Sequence, residues 1–347
     1  MSRVVDKAVA AKVAAKLSSS GSLEDSYLLE GLEQSFAELV AEAEPLIAEE
    51  SGFQPGQPAV ARVLSRAAWA QANVDSMLEL MAPLLSKVET KVESSRAVPG
   101  FKGAYAAGLG AQLGAVLGFL STRVLGQYDV LMAHQNQVWF VGSNIVMTER
   151  RLGFTPRDFR LWVVLHELTH RGQFEANPWV RPYFRSMVDE LLEVMQVDPK
   201  TLLDRVAAAL KSSERGEPES GPLALRFLEP HQRKLFDQVQ AFMSVIEGHG
   251  NFVMDRIGEL HIPSQPRMSR ALRSPENSLQ TPMGRLIGKL LGFEFKKAQY
   301  VQGQHFFDTI FREGGSKAVQ ACFSSAEALP SLTEVRAPES WLQRVAP

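Results

Sequence analysis

The sequence predicts a mainly α-helical protein with a small β-sheet, an α+β architecture, and three observations support this. Apolar residues recur at helical spacing through most of the first hundred residues and again over residues 230–257. One short β-prone run, Val-Trp-Phe-Val at 138–141, ends at Gly142. The chain has 347 residues, 45% hydrophobic and 22% charged, which suits a globular protein of one large or two moderate domains.

The N-terminal region, residues 1–97, is predicted to be helical almost throughout. Amphipathic helices are expected over residues 4–17, 28–47 and 67–88, with a loop at 52–58. No strand is expected here, because apolar and polar residues do not alternate. Pro99-Gly100 marks a boundary with residues 98–347, which we expect to pack with the first region as one unit.

Residues 104–120 contain no charged residue and are the one stretch that resembles a membrane span. Their length is at the short limit for crossing a bilayer. Gly110, Gly114 and Gly118 recur every four residues, a spacing that suits helix packing in a membrane and equally a tightly packed core helix. Because charged chain flanks the stretch on both sides and no second span follows, we predict a core helix and no membrane span.

The remaining elements are predicted in order along the chain. Helices are expected over residues 184–195 and 200–210, followed by a disordered surface loop at 211–222. A long helix is expected over residues 230–257 and an irregular segment over 262–282. From residue 283 to the end, short helices are predicted to alternate with loops.

Charge and cysteine content exclude several kinds of site. The net charge is −2 and no basic stripe is interleaved with aromatic residues, so we expect no nucleic-acid binding. Cys322 is the only cysteine, which excludes an intrachain disulfide and a thiolate zinc cluster. A zinc site would therefore use histidine and carboxylate. The first 20 residues lack the apolar core of a signal peptide, so a cytoplasmic protein is expected.

The sequence His-Glu-Leu-Thr-His at residues 166–170 carries the clearest chemical signal. On a helix His166 and His170 share one face and can reach a single metal ion, while Glu167 lies beside it and can act on a bound water. A chain of this composition would contain the pattern by chance about 0.01 times, so accident is an unlikely source. Upstream, Thr155 and Pro156 predict the N-cap and first residue of the helix.

Two histidines are an incomplete catalytic zinc site, which uses three protein ligands and leaves one position open. The metzincin pattern is absent, because Gln173 and Ala176 stand where it requires glycine and histidine. Glu247 and His249 lie in a later apolar helix and point in different directions. We favour Glu247 as the ligand over His249, since a carboxylate buried among apolar residues needs a compensating cation.

The expected chemistry is hydrolysis by zinc-activated water, with Glu167 as the general base that later protonates the leaving group. The oxyanion needs a hydrogen-bond donor, for which Tyr300 is the first choice and His305 and Tyr128 are alternatives. Asp255 is a candidate acceptor for the second nitrogen of a ligand imidazole, or else a surface acid. Residues 138–141 are either a sheet edge that holds an extended peptide or an ordinary core strand.

The chain also resembles a known family over nearly its whole length. The matching segments, in this order, are 120–129, 149–153, 159–162 running into 166–170, 173–174 with 178–179, 243–249 with 253–255, and 299–303. They are similar to a family of zincin-like hydrolases, common in actinobacteria and often labelled as associated with deazaflavin coenzyme biosynthesis. The resemblance implies a mostly helical zincin-like metallopeptidase fold with a small sheet, and His166, Glu167 and His170 on its metal-site helix.

Two functions are carried forward from the sequence. The first is a zinc-dependent metallohydrolase, most simply a peptidase with peptide or protein substrates. The alternative is a non-catalytic protein in which zinc stabilises a helical scaffold for partner binding, and it predicts a closed site with four protein ligands. The sequence does not indicate the oligomeric state.

Overall fold

The computed structural model describes residues 4–18, 23–94, 101–130, 136–194, 230–273 and 297–345. The side chains of residues 91–94, 101, 194, 273 and 297–301 lie outside that description. In chain order the elements are α1 (Lys7–Ser18), α2 (Leu32–Ser51), β1 (Val60–Leu64), α3 (Arg66–Leu80), α4 (Ala82–Ser94), α5 (Phe101–Ser121), β2 (Gly126–Tyr128), β3 (Gln137–Val141), α6 (Gly142–Leu152), α7 (Pro156–Glu175), α8 (Val180–Val194), α9 (Pro230–His261), α10 (Gln265–Arg273), α11 (Lys297–Ala321), α12 (Leu332–Arg336) and α13 (Pro338–Val345), with short 3₁₀ turns at Tyr27–Leu29 and Ala326–Ala328. The predicted mainly α fold with a small sheet is confirmed.

The sheet has three strands in the order β1-β3-β2. β1 runs parallel to β3, with Ala61 opposite Val138, and β2 runs antiparallel to β3, with Gln127 opposite Trp139. One prediction is wrong here, because the N-terminal region does contain a strand, β1. Of the two alternatives for the run at 138–141, the structure supports the core strand. The run belongs to the central strand, both of whose edges are paired, so it offers no free edge to an extended peptide.

Strand β3 separates two hydrophobic cores, because its side chains alternate between the two faces of the sheet. Val138 and Phe140 face the larger core, which α2, α7, α9 and α11 build. Within it Phe140 stacks on Phe36 of α2, with ring centroids 4.2 Å apart. On the other face of β3, Trp139 and Val141 contact a smaller core between α1, α3 and α5. The motif helix α7 therefore lies in the larger core.

Helix α5 packs its glycine face against α1. At Gly110, Gly114 and Gly118 an added Cβ would approach α1 too closely, and at Gly114 it would lie 2.3 Å from the carbonyl oxygen of Ala10. Within the described residues one helix segment, Lys102–Ser121, is long and apolar enough to cross a membrane, and half of it is buried within the protein. The glycine spacing serves helix packing in the interior.

Several predicted boundaries differ from the structure. Helix α8 begins at Val180, four residues before the expected start, and α10 occupies part of the segment expected to be irregular. Helix α11 is a 25-residue element where short helices were expected, and it bends at Gly315, whose φ of 64° suits glycine. The helix predicted over 200–210 and the loop over 211–222 lie outside the described residues.

Adding one methyl group to α5 should change the free energy of unfolding in opposite directions, depending on which face of the helix carries it. Gly114→Ala is expected to lower the free energy of unfolding by about 1–3 kcal/mol, because the new Cβ meets the α1 backbone. Gly108→Ala meets nothing within 4 Å and should raise it by about 0.5–1 kcal/mol through helix propensity. Urea unfolding of the two variants measures the difference. Equal effects of the two substitutions would contradict the close α1–α5 contact.

Candidate metal centre

Helix α7 carries the two histidines of the motif in its third and fourth turns. It begins at Pro156, as predicted, and Thr155 occupies the N-cap position in an extended conformation. The Thr155 side chain makes no capping hydrogen bond, so the fixed φ of the proline is the local signal that starts the helix. From Phe159 onward the helix is largely buried, which holds the motif in the interior.

Three predicted site residues converge at one point. Nε2 of His166 lies 3.1 Å from Nε2 of His170, and Nε2 of His170 lies 4.0 Å from Oε2 of Glu247. The three ligand atoms all lie within 4.8 Å of one another, and no other such group of three occurs in the described part of the chain. Two nitrogens bound at 2.0–2.1 Å to a tetrahedral zinc would be about 3.3 Å apart, so the spacing suits that ion.

Gln173 orients His170 and joins α7 to α9. Its Oε1 lies 2.9 Å from Nδ1 of His170, while its Nε2 donates to the carbonyl oxygen of Ile246 at 2.8 Å. The carbonyl contact fixes the amide orientation, so Oε1 accepts from Nδ1–H and the lone pair of His170 stays on Nε2. No contact between Gln173 and a ligand histidine was predicted from the sequence. Its position three residues after His170, on the same helix face, was the available signal.

Glu167 lies beside the histidines and against strand β2. Its Oε2 accepts a hydrogen bond of 3.0 Å from the backbone N–H of Tyr128. Gly126 lets the strand approach, since a Cβ there would lie 2.7 Å from Cγ of Glu167. Burial is the largest influence on this carboxyl group and raises its pKa to about 7, against the lowering effect of His170 and of the Tyr128 N–H. A group with that pKa can both accept and return a proton near neutral pH.

His249 lies apart from the point of convergence. Its ring is packed between Phe53, Phe307 and Phe323, with centroids 4.9–5.3 Å away. Its Nδ1 accepts from Nε2 of Gln173 at 3.0 Å, and burial lowers its pKa to about 3. The structure therefore brings Glu247, and not His249, to the two motif histidines.

The other predicted residues are placed differently. The side chain of Tyr300 lies outside the described part of the chain. His305 is exposed on α11. The Tyr128 hydroxyl accepts from Nη2 of Arg181 at 2.6 Å and contacts Oε1 of Glu175 at 3.1 Å. Asp255 accepts hydrogen bonds from Gln265 and Gln304. The acceptor for a ligand imidazole, for which Asp255 was one candidate, is Gln173.

A cavity of about 90 Å³ lies directly beside the convergent side chains. His166, Glu167, His170 and Glu247 form part of its wall, and most of the remaining wall is aliphatic or aromatic. Helices α3 and α5 of the smaller core and helices α8 and α9 of the larger one all contribute to it. A ligand in this cavity would contact the three convergent donors and the Glu167 carboxylate together.

Comparisons with known proteins cover nearly the whole chain. A sequence model of a family described as zincin-like metallopeptidase matches residues 5–342. The crystal structure of a protein from Chloroflexus aurantiacus, described as a candidate hydrolase with a novel fold, superposes with a TM-score of 0.75. The two sequences are 30% identical, and the match covers 98% of each chain. No curated protein matches.

Removing the Gln173 amide should weaken metal binding. For Gln173→Leu we expect the affinity for added Zn²⁺ to fall about 10- to 100-fold, because His170 loses the acceptor that orients it. Competition with a coloured chelator measures the affinity. The matched control is Gln265→Leu, which removes another buried glutamine bonded to Asp255 and should leave zinc affinity unchanged. Equal zinc affinities of wild type and Gln173→Leu would contradict this role of Gln173.

Proposed function

The chain belongs to the zincin-like metallopeptidase family, and on that premise we propose that it is a zinc-dependent hydrolase of peptide bonds. His166, His170 and Glu247 would hold the ion and Glu167 would be the general base. The observation that carries the proposal is the convergence of these side chains beside one cavity. Peptides or proteins are the substrates that the family assignment favours.

The donor set fits zinc on three grounds. Two imidazole nitrogens and one carboxylate oxygen are a common catalytic zinc set. The hydrogen bond from His170 to Gln173 leaves Nε2 as the coordinating nitrogen. Glu247 is buried, and a cation would compensate its charge.

Glu167 is suited to move a proton in this cavity. Zinc, when bound, would lower the pKa of a water to about 7 and polarise the carbonyl that is attacked. The Tyr128 N–H holds Oε2 of Glu167, so Oε1 is the oxygen left for the reacting water. Glu167 would accept the proton of that water and pass it to the leaving amine.

The alternative of a zinc-stabilised scaffold requires a closed site with four protein ligands. In the described part of the chain only three donors converge, and a cavity adjoins them. These two observations favour the hydrolase.

We propose that the protein is located in the cytoplasm. Its one cysteine, Cys322, is buried and forms no disulfide, which is compatible with a reducing compartment.

Glu167→Gln tests the proposal most directly. It keeps the shape of the side chain and removes the base, so peptide hydrolysis should fall by about 10²- to 10⁴-fold while zinc content is retained. Hydrolysis of a peptide library and metal analysis give the two readouts. The matched control is Glu149→Gln, which alters a buried glutamate paired with Arg160 outside the cavity and should leave turnover unchanged. Equal rates for wild type and Glu167→Gln would refute the role of the base, and protein free of zinc after chelator-free purification would refute the zinc site.

Tyr300 remains the proposed donor to the oxyanion. For Tyr300→Phe we expect kcat to fall about 10²- to 10³-fold with zinc content unchanged, because one donor to the developing charge is lost. His305→Gln is the comparison, since His305 is exposed on the same helix and should have no effect. A larger loss in His305→Gln than in Tyr300→Phe would reverse the assignment.

A further inference from the structure

The cavity beside the metal centre has an apolar part whose chemistry indicates what it receives. Three phenylalanines form one wall, Phe174 of α7, Phe184 of α8 and Phe242 of α9. Their ring centroids are 5.7–6.4 Å apart in every pair, and Phe184 and Phe242 are stacked with their planes 21° apart. Phe174 is one helical turn beyond His170, so this wall begins directly beside the centre.

Other parts of the lining are also apolar. Leu120, Val124 and Val130, from α5 and the segments on either side of β2, face the cavity. Together with the three phenylalanines they give the cavity a largely apolar lining. A side chain that enters this part must leave water for mainly apolar surroundings.

Apart from the residues of the metal centre, Trp69, Asn73, Gln127 and Tyr128 bring the polar side-chain groups to the described lining. Asn73 and Gln127 bond to each other, with Nδ2 to Oε1 at 3.2 Å and Nε2 to Oδ1 at 3.0 Å. Asn73 also donates to the carbonyl oxygen of Trp69. The Tyr128 hydroxyl is held by Arg181 and Glu175. The side chains of Asn73, Gln127 and Tyr128 are thus engaged within the protein, whereas the buried indole N–H of Trp69 has no partner among the described residues. The described lining beyond the centre carries no charge.

We infer that this pocket receives a large apolar side chain, aromatic or branched aliphatic, from the substrate residue that adjoins the cleaved bond. The inference rests on the proposed peptide hydrolysis and adds its side-chain preference. A leucine or phenylalanine side chain gains from leaving water against the apolar lining, whereas a lysine or aspartate side chain there would lose its hydration with no charged partner in the described lining beyond the centre. Alanine would leave most of the pocket unfilled.

Binding tests the pocket without turnover. Five blocked pentapeptides, Ac-Ala-Ala-X-Ala-Ala-NH₂ with X as Phe, Leu, Ala, Lys or Asp, are titrated calorimetrically into zinc-loaded Glu167→Gln and into metal-free wild type. We expect the Phe and Leu peptides to bind at least about tenfold more tightly than the Ala peptide in both preparations, and the Lys and Asp peptides to bind most weakly. A flat series, or one led by the charged peptides, would overturn the inference.

Variants of the wall assign the preference to the phenylalanines. Phe184→Ala should remove most of the ratio between the affinities for the Phe and the Ala peptide. Phe184→Leu is a milder change that should reduce this ratio, and it serves as the test if the alanine variant does not fold. Phe36→Leu is the control, because Phe36 is a buried phenylalanine that stacks on Phe140 away from the cavity. A full ratio in Phe184→Leu and Phe184→Ala would overturn the inference.

The binding result separates this inference from the proposed function. Hydrolysis that depends on Glu167 but shows no side-chain preference would leave the function standing and remove the pocket assignment. Selective binding by a protein that hydrolyses none of the library would uphold the pocket and refute the hydrolase.

Discussion

The packing of α7 against α9 is the constraint on which the centre depends. Neither helix holds the three donors alone, since His166 and His170 lie on α7 and Glu247 on α9. The hydrogen bond from Nε2 of Gln173 to the carbonyl oxygen of Ile246 joins the two helices one residue before Glu247. The same amide orients His170, so the position of α9 and the direction of the imidazole are set together. A shift of α9 would disturb both at once.

A second group of contacts ties the centre to the sheet. The Tyr128 backbone holds Glu167, while its hydroxyl lies between Arg181 and Glu175. Glu175 also pairs with Arg171, which is 1% exposed and reaches Glu44 of α2. Buried charges of this kind cost free energy when one partner is removed, so they define one arrangement of the helices around β2. The position of Glu167, the proposed base, therefore depends on contacts that extend from β2 through α7 to α2.

The motif and most of the long helices, though not α11, could be predicted from sequence, because a five-residue pattern and periodicity are local signals. The carboxylate of Glu247 could be proposed as well, since a charge among apolar residues is conspicuous. Strands β1 and β2 could not, because Ala61 and Arg62 interrupt the β-prone residues of β1, and β2 has three residues of which one is a glycine. The hydrogen bond from Tyr128 to Glu167 also cannot be predicted from the sequence. It uses a backbone N–H, which every residue except proline has, and it joins positions 39 residues apart.

The aromatic surroundings of His249 have an electrostatic consequence for the rest of the site. With a pKa near 3 this ring stays neutral throughout the neutral pH range, and its Nδ1 remains an acceptor. The Gln173 amide therefore finds acceptors on both sides of its nitrogen and cannot turn over without losing two hydrogen bonds. The oxygen of this amide therefore stays directed at Nδ1 of His170. A histidine that lies apart from the point of convergence thus helps to fix which nitrogen of His170 is turned toward Glu247.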